Sequence, residues 1–241
     1  SPGSSSLIID MMFVPGSSVS VLCFEIIVAA VLIAMIAITR HAYRSDRDLA
    51  RKVTMRVFLG YLIWLGVLLA LIKTDQLQAL PLQGMPVFFG SILLVSVAAG
   101  LSPFGARLAA HTPIAALIAF QAFRLPLELI LHRWAQRGTI PPTMTWTGQN
   151  WDIVAGALAF VIWPIAKNRA VAWGFNIIGA ILLLNVLRVA LLSSPVPFGW
   201  DTQPPLQLFL HAPYFLIGPV LVGSAITGHI VLTRALLKKA V

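Results

Sequence analysis

One stretch of the chain sets three ionisable residues at helical spacing inside an apolar run: Phe120-Gln121-Ala122-Phe123-Arg124-Leu125-Pro126-Leu127-Glu128-Leu129-Ile130-Leu131-His132. Arg124, Glu128 and His132 are spaced i, i+4, i+8, so a helix stacks them on one face. Arg124 and Glu128 can pair there directly. Charge inside an apolar span is costly and usually faces a bundle interior or a water-filled cavity. Two further apolar runs carry such charges, Glu25 in one and Arg188 in another, with Asn185 one turn from Arg188. Counted at 1.5 Å per residue, Glu25, Glu128 and Arg188 lie about 10, 8 and 6 Å below the outer ends of their spans. The polar, aromatic segment Met144 to Asp152 supplies Asn150 and Asp152 at the mouth of another span, and His211 stands at the mouth of the last. The sequence therefore predicts a polar pocket that opens outward, lined by Glu25, Arg124, Glu128, Asn150, Asp152, Asn185 and Arg188. The competing reading is a satisfied Arg124–Glu128 pair that only fixes helix packing.

In the ligand reading, Arg124 and Arg188 orient an anionic group, as guanidinium forks do. Glu128 and Glu25 balance charge or exchange a proton, and Asn150 and Asp152 line the entrance. An intramembrane enzyme using Glu128, His132 and His211 for acid–base or metal chemistry is the first alternative. A structural assembly subunit is the second. His132 and His211 are the candidate metal ligands, with Glu128 and Asp152, but no His-Glu-x-x-His motif or close His pair exists. His211 and His229 are about 27 Å apart along a helix and cannot share an ion. Zinc and bis-histidine haem are thus disfavoured, and no cofactor is expected. His229 reads as a packing residue. Nucleophile elbows and phosphate-cradling glycine loops are absent.

Those side chains need a membrane-embedded frame. Of 241 residues, 59 % are hydrophobic and 10 % charged, with a mean hydropathy of +0.89. Soluble domains have about 25 % charged residues. Seven segments are long and apolar enough to span, at about 17–39, 55–71, 85–101, 113–133, 151–166, 170–192 and 205–233. The predicted fold is an all-α, seven-transmembrane-helix bundle, one domain over 11–241. Residues 1–10 read as a tag remnant, and Met11 or Met12 as the native start. The first run lacks the features of a cleavable signal. Twelve of the 17 Lys and Arg fall after spans one, three and five or at the C-terminus, against three on the other side. This puts the N-terminus outside and the C-terminus in the cytoplasm. The net charge of +9 reflects those loops rather than nucleic-acid binding. Partners are membrane lipids, a small or lipid-like ligand and, where it self-associates, a second copy. Trp134, Trp146, Trp151, Trp200 and Tyr214 read as an outer interfacial belt. The single cysteine, Cys23, reads as a small hydrophobe.

Seven spans with an outside N-terminus resemble microbial rhodopsins in outline. The last span has no lysine before Lys238, so retinal is excluded. Arg124-x-Pro126-x-Glu128, Met144-Thr145 through Gly148-x-Asn150-x-Asp152, and Ser194-Pro195 through Pro197-Phe198 resemble a family of small bacterial seven-span membrane proteins without assigned activity. The resemblance covers roughly 115–235. It implies a bacterial inner-membrane setting and supplies no catalytic residue or substrate.

Overall fold

The structure, a computed structural model, describes residues 13–74, 76 and 84–238. The expected tag remnant and native start lie outside the described residues. Helices are the regular elements of the described residues, with no strand among them. The helices are α1 (Ser18–Ala42), α2 (Arg47–Lys73), α3 (Gly84–Leu101), α4 (Pro103–His111), α5 (Ile114–Phe120), α6 (Arg124–Arg137), α7 (Asp152–Ile162), α8 (Arg169–Leu192) and α9 (Gly223–Leu237). Five helical stretches are long and apolar enough to cross a membrane: α1, α2, Ile114–Arg137, α8 and Tyr214–Leu237. A sixth is added if α3 and α4, bent by 59° at Ser102, count as one span. The remaining apolar helix, Asp152–Ile165, is short.

Local chemistry sets the helix ends. Ser17, Asp46, Ser102 and Asn168 each accept a backbone N–H in the first turn of the helix that follows. Gly138, at φ +78°, ends α6 in the left-handed region that suits glycine. Pro103 sits at the first position of α4, where a missing N–H costs nothing. Helix α2 begins eight residues before the apolar run expected at Met55. Its first two turns, Arg47 to Thr54, are polar yet helical, because hydropathy marks only the apolar part of a helix. The last span starts later than expected, at Tyr214, and residues 205–213 form an irregular segment with one 3-10 turn.

Two ends can be distinguished. At the basic end, arginines close helix C-termini. Arg107 donates to the Ala42 carbonyl, Arg234 to those of Gly100 and Ser102, and Arg169 to that of Leu236. At the loop end, the buried Trp134 donates to Ser20 Oγ (2.9 Å), and Tyr214 Oη accepts from Gly16 N (2.8 Å). Trp134 and Tyr214 thus correct the interfacial-belt reading. They are 0 % and 4 % exposed and pack edge to face inside the bundle. Trp151 is exposed. The apolar interior runs from the Phe24–Trp134 contact to the layer of Leu117, Phe175 and Leu232 near the basic end. Helices α1 and α2 are the least buried of the spans.

Candidate functional site

The short helix places the site. From Asp152 to Ile165 it has 14 residues, about 21 Å of rise against a hydrocarbon thickness of about 30 Å. It is too short to span such a layer alone, and Gly156 fixes its height against α6. A Cβ there would collide with the backbone of Arg124 and Leu125, so α7 lies backbone to backbone against α6 near Arg124. Asp152, one turn earlier, stands at the level of Glu128. Glu128 is nine residues from Arg137, about 13 Å below the end of α6. The segment between the two helices must descend that far. Thr139, Ile140, Met144, Thr145 and Asn150 in it are all buried. Non-helical backbone at such depth is tolerated where protein buries it or where it lines a cavity.

Two side chains on α6 divide the polar chemistry. Arg124, 1 % exposed, forms a fork with Asp152: Nε donates to Oδ2 at 2.7 Å, and a terminal nitrogen donates to Oδ1. The same guanidinium reaches the Gly179 carbonyl (3.2 Å) and His229 Nε2 (3.0 Å). Because Nε2 accepts from arginine, Nδ1 of His229 carries the proton and donates to Asn176 Oδ1 (2.9 Å). Asn176 Nδ2 then donates to Thr233 Oγ1 (2.7 Å). Gly179 makes room for this, since a Cβ there would sit 2.5 Å from His229 Cε1. Glu128, also 1 % exposed, is joined to the group through Asn150. Asn150 Nδ2 donates to Glu128 Oε1 (2.9 Å) and to the Met144 carbonyl, while its Oδ1 accepts from Asp152 N (3.1 Å). Glu128 Oε2 is buried with no hydrogen-bond partner among the described residues.

That orphan oxygen belongs to a side chain lining a cavity of about 60 Å³. Most of the wall is apolar, from Phe88, Phe89 and Ile92 of α3 through Leu183, Val186 and Leu187 of α8 to Leu208 and Phe209. Arg124, Glu128 and Asp152 are its charged members. A π-helical turn, Gly218–Val222, forms another wall. Such turns are frequent at functional sites.

The expected pocket is thereby redrawn. Arg124, Glu128, Asn150 and Asp152 come together, with Asp152 rather than Glu128 as the arginine's partner. Glu25 is exposed on α1, apart from that group. Arg188 is exposed, and with Asn185 it forms a separate cluster at the loop end. Asn185 Nδ2 donates to the Gln149 carbonyl (2.7 Å), and Arg188 donates to Asn185 Oδ1 and Gln149 Oε1 while lying over the Trp200 ring. These two side chains fasten the descending segment to α8. The expected two-arginine clamp on an anion does not form, since Arg188 is elsewhere and Arg124 already holds Asp152. Nor does the acid–base set assemble. His132 stacks on Trp146 and bonds to Gln136, whereas His211 stacks on Phe13 at 3.9 Å, where burial lowers its pKa. Among the described residues, no three His, Cys, Asp or Glu side chains gather as a metal site.

His229 and Asn176 were missed as members of the polar group. Each is a lone polar residue in an apolar run, and only the packing of α8, α9 and α6 brings them to Arg124. No known protein family, curated protein or solved structure matches the chain. The geometry alone therefore carries the functional argument.

Proposed function

We propose that this is a seven-span inner-membrane protein of bacterial type whose cavity beside Glu128 binds a small apolar molecule with a hydrogen-bond donor at its polar end. In this reading the short helix α7 and its descending segment make one crossing together. The basic end faces the cytoplasm, in keeping with the excess of arginine and lysine there. The observation that carries the binding reading is the unpartnered Oε2 of Glu128, a side chain that lines a cavity whose only other charged members among the described residues, Arg124 and Asp152, hold each other. A buried acceptor left unmade costs about 1–3 kcal/mol, more when charged, and a donor on a ligand removes that cost. Arg124, the one guanidinium lining the cavity among the described residues, is paired with Asp152, and Glu128 has no cationic partner there, so a cationic head such as an ammonium or guanidinium suits the site better than an anionic one. The Arg124–Asp152–His229 group then acts as a strut that sets the cavity's shape.

Hexylguanidinium is a suitable probe, since its head stays protonated and its tail is short. Titrated against the purified chain in detergent, it binds saturably on this reading, and Glu128→Gln weakens it by about tenfold. Hexanesulfonate, with the same tail, does not compete. Equal binding of the two probes, or unchanged binding by Glu128→Gln, refutes the assignment.

A further inference from the structure

A second cavity, of about 90 Å³, lies in the half of the bundle nearer the basic end, between α1, α2, α4, α5 and α9. The two cavities share no lining residue, yet the same two spans border both. Along the fourth span, Leu117 and Phe120 line the second cavity, and Phe123, Arg124, Leu127 and Glu128 line the first. Apart from Phe123, these positions fall on one helical stripe, so the cavities stand one above the other along it. The last span passes between them and turns a different face to each. Gly218, Leu221, Val222 and Ala225 face the first; Ser224, Thr227, Gly228 and Val231 face the second. Both sets repeat i, i+3, i+4, i+7, as two stripes of one helix do.

The partition is thin and irregular. Phe120 borders one cavity and Phe123 the other, with ring centroids 5.7 Å apart. The backbone between them, Gln121–Phe123, is a 3-10 turn, and the π-helical turn Gly218–Val222 stands at the partition's other side. Tyr61, which lines the second cavity, donates to the carbonyl of Pro219 in that π turn (2.7 Å). Gln121, fully buried, fills the gap. Its Nε2 donates to the Ala225 carbonyl, and it packs where a Cβ on Gly228 would be.

Buried oxygens mark the same line. Six buried side-chain N and O atoms have no partner among the described residues, and three of them are Glu128 Oε2, Gln121 Oε1 and Thr54 Oγ1. Glu128 lines the first cavity, Thr54 lines the second, and Gln121, in neither lining, bonds to Ala225 of the first and packs on Gly228 of the second. Each is a buried oxygen able to accept from a donor-bearing head. Interrupted helices at mid-depth beside a site are the feature that transporters use to open a path.

We infer that the two cavities are halves of one translocation path for the donor-headed apolar molecule, with the Phe120–Phe123 pair and Gln121 as its gate. The inference rests on the binding reading above and adds movement to it. Net passage needs only a concentration gradient or membrane potential and no covalent step.

The test is uptake of radiolabelled hexylguanidinium by vesicles of phosphatidylcholine and phosphatidylglycerol with the full chain reconstituted. Uptake about tenfold faster than in protein-free vesicles is expected, and slower uptake by Glu128→Gln. Phe120→Ala, which leaves the lining of the first cavity intact, speeds uptake while leaving equilibrium binding at the wild-type value, a result that a misfolded variant cannot give. Saturable binding by the wild-type chain with uptake no faster than in protein-free vesicles overturns the path and leaves the binding site standing. Absence of saturable binding overturns both.

Discussion

Arg124 and Glu128 stand one turn apart on the same helix, and both are 1 % exposed, yet their surroundings are opposite. The arginine is held by a carboxylate, a carbonyl and an imidazole. The glutamate is held on one oxygen and bare on the other. Burial alone therefore does not separate a structural charge from a functional one. Satisfaction does: a group whose partners are complete has nothing left to offer a ligand, while an incomplete one is costly until something arrives.

That contrast breaks most sharply at the satisfied end. Asp152→Ala leaves the buried guanidinium uncompensated, and a loss of about 3–5 kcal/mol of stability is expected, measured by denaturant unfolding in micelles. Replacing both partners, Arg124→Met with Asp152→Leu, recovers much of that loss. A double variant as unstable as the single one contradicts the strut role. Next in size is Gly156→Ala, which pushes α7 away from the backbone of α6 and costs about 1–3 kcal/mol. Because Asp152 rides on α7, the same variant weakens hexylguanidinium binding, and unaltered binding would uncouple the short helix from the site.

Smaller effects sharpen the comparison. Arg188→Gln removes a partly exposed cation–π contact and a hydrogen bond to the descending segment. A cost of about 0.5–1 kcal/mol is expected, read as faster amide exchange in residues 142–151 with ligand affinity little changed. Glu25→Gln, on an exposed face, stays within about 0.5 kcal/mol of wild type in stability and leaves binding untouched. A large binding loss there restores Glu25 to the site and undoes the redrawn pocket.

Much of the frame was readable from residue order. Hydropathy located the five stretches, six with the bent α3–α4 pair, that are long and apolar enough to cross a membrane, because each is a long apolar run. The i, i+4 spacing correctly set Arg124 and Glu128 on one face, since that follows from helix geometry alone. Their partners were not legible. Local spacing favoured an Arg124–Glu128 pair, but the guanidinium turned to Asp152, 28 residues away, because the short α7 starts beside this part of α6. Nothing in an 11-residue apolar helix announces how deep it begins; Gly156 was the one signal, and its meaning needs the facing backbone. Depth counting failed for Glu25 and Arg188 in a related way. Three charges at similar heights converge only if their helices turn the right faces inward, and periodicity within one apolar span leaves the facing direction open. α1 and α8 turned these two outward, one toward the exposed surface and one toward the loop that it fastens.

The most direct measurement is an infrared difference spectrum recorded as hexylguanidinium binds. If Glu128 receives the donor, the wild-type chain gives carboxyl-region bands that vanish in Glu128→Gln and persist in Glu25→Gln. Bands that survive in Glu128→Gln would contradict the account, because the ligand would then be meeting a different acid.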